Sequence, residues 1–274
     1  MKPAPFEYVR ATSVDDAMAR YIEAEDARYL AGGQSLLAAL NFRLDAPELL
    51  IDISQIGALR GIGRQGNAVI IGAMTRHAEV AADPLVTAHL PLLAQAVAHV
   101  AHPAIRHRGT IGGSIALADP ASEMPACALA LSAVLHVNGP DGLRTISADD
   151  FFRGIYETAL MPGEILTQIE FPLPATEARH GFAELARRKG DYAMTGLALM
   201  TGPSPRIVWF ALSDRPVRAR TAEAALAAGE TRANIAALAT DGINVLGDLN
   251  ASDAVKRHYA RILLSRVLQE AGLP

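Results

Sequence analysis

Arg108-Gly-Thr-Ile-Gly-Gly-Ser-Ile115 is the stretch on which the fold turns, and an earlier stretch, Leu30-Ala-Gly-Gly-Gln-Ser-Leu36, has the same chemistry. In the earlier one, Arg28-Tyr-Leu-Ala31 reads as a short strand running into Gly32-Gly33, with a short helix expected at once over residues 35–43. Adjacent glycines permit positive φ and let a ligand approach where a Cβ would stand in the way. Successive backbone N–H groups at such a turn form a concavity suited to phosphate, and Ser35 adds a hydroxyl. A plain tight turn is the other reading of a lone Gly-Gly pair. In the later stretch, Gly112-Gly113 is flanked by Thr110 and Ser114, and residues 103–114, rich in Gly, His and Arg, read as loop. Asp119-Pro120 follows. An aspartate there suits acceptance of hydrogen bonds from ligand hydroxyls, as an acidic residue does for a ribose in dinucleotide folds. A turn-forming Asp-Pro is the alternative. Two such segments, about 80 residues apart, suggest one ligand with two linked phosphates. Neither fits Gly-x-Gly-x-x-Gly or the P-loop pattern, which weighs against a Rossmann dehydrogenase and an ATPase.

Outward from the first segment, residues 6–10 read as a strand and Ser13-Val-Asp-Asp16 as a helix start, with Ser13 as N-cap and acids in the first turn. Residues 48–53 give another strand, so the first 55 or so residues read β-α-β-α-β. A hairpin follows over 59–72, then helices over 75–82 and 89–99, an apolar helix over 125–131, a hairpin over 133–146 and a strand over 164–171. Pro172-Leu-Pro-Ala-Thr-Glu is the best boundary, placing one domain at 1–174 (lobes about 1–55 and 56–174) and a second at 175–274. The second reads as three strands (181–187, 196–201, 206–212) and three helices (221–228, 231–238, 252–268): α+β, a sheet with helices on one side.

Composition narrows the function. Half of the 274 residues are hydrophobic and a fifth are charged, as in an ordinary globular protein. A net charge of -4 without a basic stripe, and only 5 % aromatics, disfavour nucleic acid as partner. One cysteine, Cys127, rules out an intrachain disulfide and a protein-ligated iron–sulfur cluster of the usual kind. The start, MKPAPFEYVRATS, lacks an apolar signal core, and no apolar run reaches the ~20 residues of a membrane span, so a cytoplasmic protein is expected.

AGGQSLL at 31–37 and GTIGGSIALADPASEMP at 109–125 resemble the FAD-binding medium subunits of the xanthine dehydrogenase and carbon monoxide dehydrogenase family, the molybdenum hydroxylases. VIIGAMT at 69–75, AHPAIRHRGT at 101–110, FFRGIYETAL at 151–160, GEILTQIEFP at 163–172 and RRKGDYAMTG at 187–196 agree, and ALSDRPVRA at 211–219 agrees more loosely. The resemblance implies a two-lobed α+β FAD domain of the vanillyl-alcohol oxidase/PCMH type, followed by the smaller α+β domain. Carried over residue by residue, Gly32, Gly33, Gln34, Ser35 and Leu36 would hold the pyrophosphate from one lobe, with Ala31 beside them in the cofactor site. Thr110, Gly112, Gly113 and Ser114 would hold it from the other. Asp119 would meet ribityl or ribose hydroxyls, and Ala101 and Ile105 would line the cleft. Ile165 would lie near the isoalloxazine or adenine end, and Lys189 and Tyr192 would approach the flavin ring. No residue is expected to be catalytic in its own right or to bind a metal. The resemblance further implies partners: a small subunit with two [2Fe–2S] clusters and a large one with molybdenum cofactor, in a dimer of heterotrimers. Electrons would pass through FAD to NAD+, a quinone, oxygen or another carrier.

Two departures stand out. Arg76 replaces a threonine frequent in the family, which puts adenine contacts there in doubt. Gln34 occupies the neighbourhood where wider relatives attach flavin through a histidine, so non-covalent FAD is expected. His99, His102 and His107 fit no zinc spacing and read as a polar loop lining the cofactor. Cys127, in PACALAL, reads as a buried small hydrophobe, and Arg187-Arg188-Lys189 as a solvated edge, a flavin contact or a docking patch for an acidic partner. A self-contained flavin oxidase and a subunit that has lost FAD are the competing functions. The first lacks an evident substrate base; the intact diglycine pairs oppose the second.

Overall fold

β1 (Glu7–Arg10), α1 (Val14–Glu23), β2 (Ala27–Leu30), α2 (Leu36–Phe42) and β3 (Leu49–Asp52) form the first lobe of the computed structural model, which describes residues 2–273. The Ser13 hydroxyl accepts from Asp16 N at 3.0 Å, capping α1 as expected. All pairings are parallel, with β3 in the centre, because a helix carries the chain back after β1 and after β2. The core of this lobe joins Ala11, Ala17, Ile51, Ile53 and Ile56 to Met74 and Ile165 from the next lobe.

The second lobe contains β4 (Ile62–Gln65), β5 (Ala68–Gly72), α3 (His77–Ala82), α4 (Pro84–His89), α5 (Pro91–Val97), α6 (Pro103–Arg106), α7 (Ile111–Leu117) and α8 (Glu123–Ala130). It continues through β6 (Val134–Gly139), β7 (Gly142–Ser147), α9 (Ala148–Phe151), β8 (Phe152–Gly154), β9 (Glu157–Thr158) and β10 (Ile165–Pro172). Its antiparallel sheet runs β4-β5-β10-β6-β7. Two expectations need correction. The helix expected over 89–99 is broken at Leu90 (φ -127, ψ 55), because Pro91 bars helical backbone in the residue before it; the chain forms α4 and α5 instead. Residues 103–114 are not loop throughout: α6 and the first turn of α7 lie within them.

The last part forms an antiparallel sheet β11 (His180–Ala186), β12 (Ala193–Met200), β13 (Arg206–Phe210) and β14 (Val217–Arg218), then α10 (Arg220–Ala227), α11 (Arg232–Ala237) and α12 (Asp253–Glu270). Strand alternation sends Leu197, Leu199, Ile207 and Trp209 into one core with Leu263, Leu264 and Val267 of α12. The other face, with Ala198, Met200, Val208 and Phe210, joins the core of the second lobe against α5 and α8. Gly196 leaves the space that the Phe210 ring fills; a Cβ there would run into it. Asp149, beside Arg206 (2.7 Å) and Arg218 (3.1 Å), ties α9 to this sheet. Among the described residues, no helix is long and apolar enough to cross a membrane.

Candidate functional site

β2 delivers the chain to Ala31, and the first diglycine then turns it into α2, with Gly33 at φ +73 as the left-handed position the sequence called for. The amides beyond the turn are its main chemical feature. Leu37 N bonds to Gly33 O, yet among the described residues nothing accepts from the amides of Gly32, Gly33, Gln34, Ser35 or Leu36. A run of unspent N–H groups around one left-handed residue is an anion-binding concavity. It lies half-buried, with Ser35 exposed.

The second diglycine works differently from the sequence expectation. Gly112 and Gly113 are helical, in the first turn of α7, and neither has positive φ. Their amides are already used: Ile111 N goes to Thr75 O, Gly112 N to Ala73 O, Gly113 N to the capping Thr110 hydroxyl and Ser114 N to Thr110 O. This segment therefore offers hydroxyls rather than amides. Thr110 Oγ1, accepting from Gly113, keeps its own proton to donate, and Ser114 Oγ lies 2.8 Å from Ser122 Oγ. Its glycines serve close approach. A Cβ on Gly112 would fall 2.6 Å from Ala73 Cα, and one on Gly113 would fall 2.8 Å from Thr110 Oγ1 and 3.5 Å from Ala31 Cβ.

The two segments meet. A Cβ on Gly32 would run into Arg108 O and lie 2.8 Å from Gly109 Cα, so the backbones of the two lobes touch at this seam. Tyr29 pins the lobes a second time, donating to Gly163 O at 2.9 Å.

The remaining expected residues are spread over both lobes and the last sheet, one of them set in a core. Gln34 turns its side-chain amide back to Gly32 O (3.2 Å). Ala101, at φ +39, and Ile105 are half-buried on the stretch leading through α6 to Gly109, whose amide donates to Ile105 O. Ile165 is 3 % exposed, seated in the first lobe's core. Asp119 Oδ1 accepts from Ala121 N (2.9 Å), and Tyr156 reaches toward Oδ2 at 3.4 Å. Ala211 N donates to Pro120 O, so the last sheet helps hold this turn. Lys189 and Tyr192 project from the β11–β12 loop; Tyr192 is 70 % exposed overall. Shielding of its hydroxyl, reinforced by Asp119, Tyr156 and Glu123, pushes that phenol up to about 12.

Sequence reasoning missed an acidic group where β11 meets the end of α5 and the start of α8. Glu184 of β11 faces His99 at 3.0 Å, with its other oxygen buried and unpartnered among the described residues. Burial, then Glu184 and Asp119 nearby, push Glu123 up to about 7. Donating its hydrogen bond to the Glu184 carboxylate raises the His99 imidazole. Only the fold brings these residues together, and no local motif announces them. His77, buried against Gly109, is driven down to about 4 by burial and Arg106 and stays neutral. Cys127 is fully buried, which pushes its thiol up and leaves it inert, as read from PACALAL. A cavity of about 480 Å³ elsewhere is lined by Asp149, Arg215, Arg218 and Arg220 and holds none of the expected residues.

Residues 4–174 match the family model described as the FAD binding domain in molybdopterin dehydrogenase. The carbon monoxide dehydrogenase medium chain of Afipia carboxidovorans is 43 % identical over 202 residues, covering 73 % of this chain and 70 % of that one. The chain belongs to the FAD-binding medium subunits of the molybdenum hydroxylases. FAD is its cofactor, and it is an oxidoreductase subunit. The nicotine 6-hydroxylase medium subunit of Paenarthrobacter nicotinovorans is 34 % identical over 99 % of both chains. The solved carbon monoxide dehydrogenase of Hydrogenophaga pseudoflava superposes on this medium subunit with TM-score 0.95, at 37 % identity over 99 % of both chains. Quinoline 2-oxidoreductase of Pseudomonas putida 86 gives 0.93 at 36 %, over 99 % of this chain and 98 % of that one. The α+β fold expected from the sequence is thereby shown.

Proposed function

We propose that the amides of residues 32–36 hold the FAD pyrophosphate from the first lobe while the Thr110 and Ser114 hydroxyls hold it from the second. The five unspent amides at a seam closed by both glycine pairs carry this reading. Ala31 and Gly113 set the width of the seam, and Asp119 accepts from ribityl or ribose hydroxyls. Ala101 and Ile105 line the cleft, and Ile165 backs it from the core. Lys189 and Tyr192 reach the flavin ring from the last domain, residues 175–274, across the boundary from 1–174. Gln34 offers an amide with no nucleophilic nitrogen, so attachment is non-covalent. Bound FAD supplies the exchange of single electrons for pairs, a property of the cofactor that the protein positions and tunes.

With one cysteine, buried, this chain depends on partners for its electrons. The partners are a small subunit with two [2Fe–2S] clusters and a large subunit with molybdenum cofactor, assembled as a cytoplasmic dimer of heterotrimers. NAD+, a quinone, oxygen or another carrier takes the electrons onward. Purification of the complex tests this. One FAD per chain should be released on acid denaturation, with the flavin band near ~450 nm, and light scattering should give the mass of two heterotrimers. Absence of released flavin would remove the redox reading. Turnover of an organic substrate by the lone chain would favour a self-contained oxidase.

A further inference from the structure

The loop that carries Lys189 and Tyr192 has little of its own to hold it. Residues 187–192 join β11 to β12 as Arg-Arg-Lys-Gly-Asp-Tyr, three successive cations followed by a glycine at φ +88. Its one internal backbone bond runs from Asp191 N to Arg188 O at 3.1 Å. Arg187 reaches Asn250 Oδ1 at 3.4 Å at the start of the loop, and the contact at its middle comes from the second lobe: a Cβ on Gly190 would lie 2.6 Å from His102 Nδ1, so the imidazole is seated against the Gly190 backbone. His102 is in turn aimed by a strained turn, since Ala101 before it has φ +39, a conformation L side chains disfavour. Arg106 holds that turn closed. Its Nη1 donates to Val100 O at 2.8 Å, Ala101 O at 3.1 Å and, more weakly, Ala98 O at 3.5 Å.

We propose that Arg106 and His102 are positioning residues that set the reach of the 187–192 loop, and with it Tyr192, toward the Asp119 end of the seam. The path runs from the Arg106 guanidinium through the carbonyls of the turn to His102, then to Gly190, then to Tyr192. It explains why Gly190 has no side chain, and why a basic side chain sits on α6 where the last carbonyls after α5 would otherwise lack donors. The functional consequence rests on the reading that Tyr192 faces the flavin ring.

Hydrogen exchange on the purified complex tests the tether without reference to the flavin. His102→Ala and Arg106→Met should each speed exchange of the 187–192 amides, and trypsin cleavage after Arg187, Arg188 and Lys189, by tenfold or more, with α12 unchanged. Arg106→Lys, which replaces the guanidinium with an ammonium donor, should recover part of the protection. The flavin midpoint potential should shift in His102→Ala in the same direction as in Tyr192→Ala. Unchanged exchange in His102→Ala, an exposed side chain whose loss leaves the core intact, overturns the proposal. Faster exchange throughout the chain in Arg106→Met would assign Arg106 to general stability and overturn its positioning role. Faster loop exchange in a wild-type-like complex that releases no flavin would leave the tether standing and sink the cofactor reading instead.

Discussion

Gly32, Gly33, Gly112 and Gly113 look alike in sequence and do four different things. Gly33 supplies a left-handed turn, Gly32 lets two backbones touch, Gly112 lets α7 lie on Ala73, and Gly113 clears the seam beside Ala31. A single motif reading cannot separate these roles, because each depends on what stands opposite the missing Cβ. Their variants should therefore part company. Gly33→Val places a β-branched residue at positive φ in the amide run, and Gly113→Val fills the seam beside the Thr110 hydroxyl. Both should purify as folded chains that retain little FAD, measured as flavin released on denaturation. Gly112→Val drives a side chain into backbone and should lower stability by about 1–3 kcal/mol, the usual cost of overpacking, seen as a lower thermal midpoint. Full occupancy in the Gly33 and Gly113 variants would show those glycines to be turn and packing devices alone.

Among the elements, α7 shows where sequence reading stopped. Two glycines, each a poor helix former, hide a seven-residue helix that the context stabilises: Thr110 caps it, and Thr75 and Ala73 carbonyls take its first amides. The strands and the longer helices were legible because their burial has a clear period, and Ser13 marked its helix start as read. The break at Leu90 was legible in principle from Pro91. Thr110→Val tests α7 itself. It keeps the shape, orphans the Gly113 amide, and should cost about 1 kcal/mol, the typical worth of an N-cap. Because that hydroxyl also faces the pyrophosphate in the proposed site, FAD affinity should fall with stability, while Thr110→Ser should restore both. Equal FAD affinity in Thr110→Val, measured by flavin titration of the apo-complex, would confine the residue to capping.

At the scale of the whole molecule, the sheet of the last part lies on α5 and α8, and no local pattern could announce what meets there. Phe182 and Phe210 stack at 5.7 Å, His99 leans on Phe182 at 5.1 Å, and Glu184 faces His99. Glu123, at the first turn of α8, feels Glu184, His99 and Asp119. This junction makes stability depend on pH with a definite sign. Glu123 is held at about 7 against an ordinary 4.5, so the folded chain binds its proton more tightly than the unfolded chain does. Its contribution is complete below the ordinary value and is lost as pH rises through about 7. His99, raised by Glu184, acts in the same direction, losing its contribution as pH rises through its raised value. Asp16, Asp52, Asp149, Glu164 and Asp248 are all lowered and act oppositely, their contributions being lost only in acid. Stability should therefore peak on the mildly acid side and decline toward pH 8. Glu123→Gln keeps the shape and removes the titration. Between pH 5 and 8 the wild-type chain should lose about 1–2 kcal/mol more than this variant, discounted for partial exposure from the ~1.4 kcal/mol per pH unit that linkage allows. Denaturant unfolding of the complex at the two pH values measures the difference. Parallel losses in both proteins would mean that Glu123 is ionised in the fold, its charge absorbed by His99, and that the pH dependence comes from other groups.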